Sequence, residues 1–524
     1  MSKIFNYHQA SDTLTPSEKI GQLFMPAAFI NDSEEEIQRL EKIINEHHVG
    51  GLCFFHSRAS AATNFEGKKV VVHNERSYDT LCQLIKRYQK SAKYPLIIAI
   101  DAEWGLAMRI ENTPQYPYAI TLGALQENNE LIFKVGKNIA KDCRAVGIHW
   151  NLAPCVDINN NPDNPVIGYR SFGETKEKVV TKAIAFIEGI QSEGVYTSVK
   201  HFPGHGDTAT DSHLGLPLIT KSKNELLENE LYPFKKLIDK GIDSVMIGHL
   251  SVPSLAEGER VSSSISKRII KGVLRQEMGF TGVVISDALN MHAVSKNYAE
   301  KGELEWLAFD AGNDVLCFAI NVKEGIDRIL KNASKKQIEE SFQRVWKLKE
   351  RTILSSSENG GTHLTDPDNL NREIATKSLT LLKGSEKDLH NFRQTNFKGI
   401  SISKNIDNQF FKSIQQHKKF KHLSSTVNPL NKEEYVLLAL YPPEVKPTNN
   451  FGYSETELAD INELIRTKTV IIYLFGNPYL LRLIDTKRAL AVVVAYQNFN
   501  VFQEVAANHF LGEFTARGKM PVSF

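Results

Sequence analysis

Pro95-Leu96-Ile97-Ile98-Ala99-Ile100-Asp101 is apolar along its whole length and stops at a carboxylate. A strand with one face in water alternates apolar and polar side chains, so an unbroken apolar run reads as a strand buried on both faces, as parallel strands under crossover helices are. Working outward, β-branched or aromatic runs of the same kind recur at residues 22–27, 51–55, 148–157, 196–203, 244–250, 282–288 and 314–319. Amphipathic stretches such as 226–240 and 267–278 lie between them, the second followed by Gly279 as a helix stop. Eight such runs in about 300 residues predict an α/β fold, a (β/α)8 TIM barrel. Residues 56–79 read as an elaborated loop of that barrel.

A basic helix near Arg351 gives way to a polar, glycine-containing stretch and then to Thr365-Asp366-Pro367-Asp368. The barrel is therefore assigned to 1–354, a linker to 355–370 and a second domain to 371–524. Buried-strand runs at 435–441, 469–475 and 491–496 make that second domain a smaller α/β sandwich. The chain's 524 residues exceed one ordinary hydrophobic core, in keeping with two domains.

Lys and Arg number 63 against 61 Asp and Glu, and the net charge of +2 offers no field for nucleic acid or an anionic membrane. The basic run from His417 to His422 reads as a solvated face. Five cysteines stand singly, Cys53, Cys82, Cys143, Cys155 and Cys317, which favours a reducing compartment. No run reaches the roughly 18 apolar residues of a membrane span. The expected location is cytoplasmic, or exported if a signal once preceded Met1. The strand-like end Pro521-Val522-Ser523-Phe524 leaves room for a longer protein, and the oligomeric state cannot be read from sequence.

In a parallel barrel the loops after the strands converge on one face, so polar residues at strand ends mark the site. Five successive strands end in them: Asp101, Asp157, Lys200-His201, His249 and Ser286-Asp287. The densest stretch, Lys200-His201-Phe202-Pro203-Gly204-His205-Gly206-Asp207-Thr208-Ala209-Thr210-Asp211-Ser212-His213, is a loop by its glycines and proline. Asp211 stands two residues before His213, close enough for a carboxylate to orient an imidazole and raise its basicity. Barrel metallohydrolases carry His-x-His on the first strand and residues 22–27 do not, so neither metal nor cofactor is expected.

That loop, with Ile167-Gly168-Tyr169-Arg170-Ser171-Phe172-Gly173, Val284-Ile285-Ser286-Asp287-Ala288-Leu289-Asn290-Met291 and the closing Gly518-Lys519-Met520-Pro521-Val522-Ser523-Phe524, resembles glycoside hydrolase family 3 in its β-N-acetylglucosaminidase branch. The resemblance covers nearly the whole chain. It implies a retaining exo-enzyme acting on a small carbohydrate, with Asp287 as nucleophile and His213, oriented by Asp211, as acid/base. It also implies that Asp101, Arg109, Arg170, Lys200 and His201 hold the sugar. The second domain becomes structural support, with no catalytic glutamate needed from Glu504 or Glu513. Where the family commonly reads Asp-Gln-Glu-Gly-Gly-Arg, this chain reads Asp101-Ala102-Glu103-Trp104-Gly105-Leu106, and Arg109 is matched by spacing. Trp104 either packs in the core or stacks on a leaving group. Two alternatives stay open: phosphorolysis, because a neutral histidine repels phosphate less than a carboxylate does, and a non-catalytic sugar-binding module.

Overall fold

The computed structural model describes residues 5–56, 73–126, 129–208, 215–356, 363–402, 408–423 and 435–523. They form two compact units. The first comprises Met1–Gln115, Phe133–Ile158 and Val179–Thr365, and the second Tyr116–Ile132, Asn159–Lys178 and Asp366–Phe524.

The first unit holds strands β1 (Phe24–Met25), β2 (Ala27–Phe29), β3 (Gly51–Phe55), β4 (Ile97–Ile100), β5 (Trp150–Asn151), β6 (Tyr196–Phe202), β7 (Ser244–Ile247), β8 (Val283–Ser286) and β9 (Leu316–Cys317). β2 to β8 make one seven-stranded sheet in chain order, every pairing parallel, and β1 pairs with β9. Where one run was expected at 22–27, two short strands stand on either side of Pro26. Proline has no N–H to give to a ladder. Its carbonyl still accepts from the Cys53 N–H at 3.0 Å, while Phe318 N–H donates to Met25 O at 2.9 Å, so the broken strand serves β3 on one side and β9 on the other. A parallel bridge, Ile285 to Val315, joins β8 to the residue before β9.

The helix expected at 226–240 is two, Lys223–Glu228 and Tyr232–Asp239. Pro233 cannot donate into a continuous helix and is tolerated only in a first turn, where the second helix places it. The stretch 267–278 forms Arg268–Glu277, wound as a π-type helix whose end bond runs from Met278 N–H to Val273 O at 2.9 Å. Gly279 follows at φ +75°, where a side chain would be strained. Of the expected loop at 56–79, residues 57–72 lie outside the described residues, and the helix Ser77–Ser91 begins within the remainder.

The second unit is built on a six-stranded sheet in the order β10-β15-β14-β13-β11-β12. These are β10 (Thr380–Lys383), β11 (Phe397–Ile402), β12 (Lys421–Leu423), β13 (Tyr435–Leu440), β14 (Thr469–Leu474) and β15 (Ala491–Val494), all parallel except the antiparallel β10. Alternate residues enter two separate cores. Val436, Leu438, Ile472 and Val492 face one, and Leu437, Ile471, Tyr473 and Val493 the other. β12 lies inside the basic run read as a solvated face. Lys421 there is exposed, but His422 is half-buried, and its Nε2 and Ser401 Oγ share a hydrogen bond of 2.8 Å. A lysine on an outermost strand suits an unpaired edge.

Candidate active site

In the first unit β4 and β8 are each followed directly by a carboxylate, Asp101 and Asp287. Asp287 follows β8, and its backbone is clamped on both sides. Its N–H donates to Ile247 O of β7 at 2.9 Å, while Leu289 N–H donates to Cys317 O of β9 at 3.0 Å. Its Oδ1 accepts from the Ala288 N–H at 2.7 Å, and the side chain is half-buried. Beside it His249 is fully buried. Its Nε2–H donates to Ala288 O at 2.9 Å, and Nδ1 pairs with Ser264 Oγ at 2.9 Å. With both ring nitrogens held, this histidine braces the turn that carries Asp287.

Asp101 follows β4 and gathers two cations. Lys200 Nζ lies 2.7 Å from its Oδ1, and Arg109 Nη2 donates to its Oδ2 at 2.9 Å. Lys200, on β6 and only 2% exposed, also lies 2.8 Å from Glu103 Oε1. Two carboxylates and two cations make a neutral set, which is what permits a lysine to be buried at all. The Arg109 guanidinium also lies over the Phe55 ring, 3.6 Å from its centre. Burial alone would push the Asp101 carboxyl up, but Lys200 and Arg109 outweigh it and hold the group well below the usual carboxylate range. It is therefore ionised at any pH at which the protein works.

A second cluster centres on Asp157, which is fully buried. Its carboxylate accepts from His201 Nδ1 at 2.7 Å, from the His201 N–H at 3.1 Å and from the His205 N–H at 2.7 Å. Cys155 Sγ donates to it at 3.2 Å. Burial raises this carboxyl too, and the two histidine residues override it, again to below the usual range. Cys155, Asp157 and His201 are the one group of metal-type ligands that comes together among the described residues. Its carboxylate is saturated by N–H and S–H donors, so hydrogen bonding accounts for the cluster.

The Asp101 and Asp287 carboxylates share a neighbour. The Cys317 thiol lies well above its ordinary pKa, through a hydrogen bond with Cys53 first, then burial, then the negative charge of Cys53, Asp101 and Asp287.

Thus Asp101, Arg109 and Lys200 meet directly, and His201 is held by Asp157. Arg170 belongs to the second unit, in the turn Gly168–Arg170, where its Nη1 donates to Val166 O at 3.2 Å. Asp211 and His213 lie outside the described residues. Trp104 is half-buried. Glu504 is paired with Arg372 at 2.6 Å. Sequence reasoning noted Asp157 only as a strand end and gave Glu103 no part. The available signals were their positions, Asp157 at the end of a buried run and Glu103 two residues beyond Asp101 on extended chain, where side chains share a side.

Residues 15–348 match the family described as glycosyl hydrolase family 3 N terminal domain. A β-hexosaminidase A from Pseudoalteromonas piscicida is 31% identical over 302 residues, 55% of this chain and 48% of that protein, so the chain spans about half its length. A β-hexosaminidase from Tolumonas auensis is 34% identical over 262 residues, 49% of this chain and 76% of the other. Among solved structures, a glycoside hydrolase family 3 β-N-acetylglucosaminidase from Paenibacillus sp. str. FPU-7 is 27% identical with a TM-score of 0.78, covering 98% of this chain and 99% of its own. The matched stretch takes in every one of the strand-end residues described above, and this chain accordingly belongs to glycosyl hydrolase family 3, on the β-hexosaminidase side of that family.

Proposed function

We propose that the chain is a retaining exo-β-N-acetylglucosaminidase, releasing terminal N-acetylglucosamine from muropeptides or chitooligosaccharides. Its first unit is taken as a closed (β/α)8 barrel, β1 and β2 acting as one strand interrupted at Pro26 and the Ile285–Val315 bridge completing the ring. The observation that carries the reading is the set Asp101, Arg109 and Lys200 beside the strand-end Asp287: ionised, orientation-fixing groups next to a carboxylate clamped by its own backbone. Charged donors and acceptors of this kind suit vicinal hydroxyls.

In the first half-reaction an Asp287 oxygen attacks the anomeric carbon and the glycosidic bond breaks. The leaving oxygen takes a proton from His213, oriented by Asp211. In the second, water attacks the same carbon and gives its proton to His213, and the ester to Asp287 breaks, so configuration is retained. An imidazole near its ordinary pKa of about 6.5 can serve both halves close to neutrality. His201 completes the sugar contacts, and residues 371–524 act as structural support.

The test is nitrophenol release from p-nitrophenyl β-N-acetylglucosaminide against the β-glucoside, with Asp287→Ala and His213→Ala beside the native chain. The expected result is preference for the acetamido sugar, loss of about 10⁴-fold or more in kcat at Asp287 and about 10²-fold or more at His213. A folded native protein inactive on both sugars overturns the reading. A sugar 1-phosphate formed when phosphate is added would replace hydrolysis by phosphorolysis.

A further inference from the structure

A groove of about 310 Å³ opens beside the strand ends of the first unit, a volume that suits a ligand of one or two rings. Three segments build it. Ala27 and Phe29 come from β2, and Phe318, Ala319 and Ile320 continue past β9. Asn290, three residues beyond Asp287 in the chain, also lines it. The outer wall is the helix Glu34–His47, whose Glu36, Arg39, Leu40 and Ile43 fall at i, i+3, i+4 and i+7 and so share one face.

Ring contacts connect the lining to the Arg109–Asp101 pair. The Phe318 ring stands edge-on to Phe29, centroids 6.1 Å apart, and to Phe55, 5.8 Å apart, and Phe55 carries the Arg109 guanidinium that meets Asp101. Ile320 is 63% exposed, an unusual position for a large aliphatic side chain beside a groove already lined by apolar groups.

The charges on the wall are unequal in their freedom. Glu36 is committed to its own helix, its Oε2 accepting the Ser33 N–H at 2.8 Å in a capping box. Arg39 is exposed and, among the described residues, joins no ion pair. Its neighbours Glu34 and Glu41 are both taken by Arg87, at 2.6 and 2.7 Å. The groove thus offers an apolar floor and one uncommitted guanidinium.

We infer that this groove receives the leaving group, and that Arg39 makes it selective for leaving groups that pair an apolar face with a carboxylate. The inference rests on the glycosidase reading for its direction, since the groove is lined by Asn290, just past the nucleophile in the chain, and by Phe318, next to the Cys317 that neighbours Asp287. Arg39 touches no reacting atom. It is a specificity determinant, so its removal changes which aglycone is accepted and leaves bond cleavage itself intact.

The experiment compares the native chain, Arg39→Ala and Arg39→Lys on 4-carboxyphenyl and p-nitrophenyl β-N-acetylglucosaminides, and in parallel titrates each protein with 4-hydroxybenzoate, the leaving group alone. The expected result for Arg39→Ala is a fall of about tenfold in kcat/KM on the carboxyphenyl glycoside, mostly in KM, with the nitrophenyl glycoside within about twofold of native and Arg39→Lys in between. Added salt should narrow the native preference. Equal losses on both glycosides, or no loss on the carboxylate one, overturn the inference. If neither glycoside is cleaved by the native chain, the glycosidase reading falls, and the titration still decides the groove: Arg39-dependent binding of 4-hydroxybenzoate supports it, and binding indifferent to Arg39 overturns it.

Discussion

At the scale of single residues, Asp157 shows how a site is stiffened from behind. Four donors from three residues converge on one buried carboxylate, and two of those donors belong to His201 itself. The native state binds this carboxylate's proton much more weakly than the unfolded chain does. Its stabilising contribution is therefore complete above the unfolded pKa of about 3.9 and is lost as pH falls toward the depressed native value. Asp157→Asn should lower unfolding free energy by about 2–3 kcal/mol at pH 7 in urea titrations. It should also flatten the decline in stability between about pH 5 and pH 3. An unchanged slope in the variant would assign that acid sensitivity to other carboxylates, Asp101 first among them, because Lys200 and Arg109 hold it down in the same way.

At the scale of elements, two glycines that look alike in sequence carry different constraints. An ideal Cβ on Gly206 would lie 1.7 Å from the Ile158 carbonyl oxygen, which is backbone and cannot step aside. Gly279 ends the helix Arg268–Glu277 at φ +75° with nothing within 4 Å of its Cβ position. Thermal unfolding should thus separate them. Gly206→Ala should cost about 2–4 kcal/mol through displaced backbone, and Gly279→Ala only about 1 kcal/mol from its left-handed conformation. Similar costs at both positions would mean that the loop after β6 moves away from Ile158 at little expense. Pro26 and Pro233 work at the same scale. Each interrupts a ladder that the hydrophobic pattern alone would continue.

At the scale of the first unit as a whole, its beginning and its last helix are tied through a buried polar contact. Lys349 Nζ, on Lys335–Ser356, donates to the Gln22 side chain, and Gln22 Nε2 donates to His48 O at 2.5 Å. Burial pushes the Lys349 ammonium down to about 7, and burial together with Lys349 pushes nearby His149 down to about 4. A lysine whose native pKa is depressed stabilises fully only above its unfolded value of about 10.4, and that contribution is lost as pH falls to about 7. Unfolding free energy should accordingly rise from pH 7 to pH 9 in the native chain and stay level in Lys349→Met, as guanidinium titrations at the two pH values would report. A parallel rise in both proteins would remove Lys349 as its source. Among the described residues no helix is long and apolar enough to cross a membrane.

By itself the sequence determined the strands of the first unit and the polar residues that end them. Both are written in short-range hydrophobic pattern, which depends only on which side chains must leave water. The same reasoning located three inner strands of the second sheet and passed over β10, β11 and β12, whose runs are short, charged or interrupted by glycine. Tertiary structure alone decided that Lys200 sits between Asp101 and Glu103, that Asp157 holds His201 and that Arg39 and Ile320 line one groove. It also decided that 116–132 and 159–178 pack within the second compact unit. Such pairings join residues far apart in the chain, and their energies come from burial and charge compensation after the strands have assembled, so they leave no local periodicity to read.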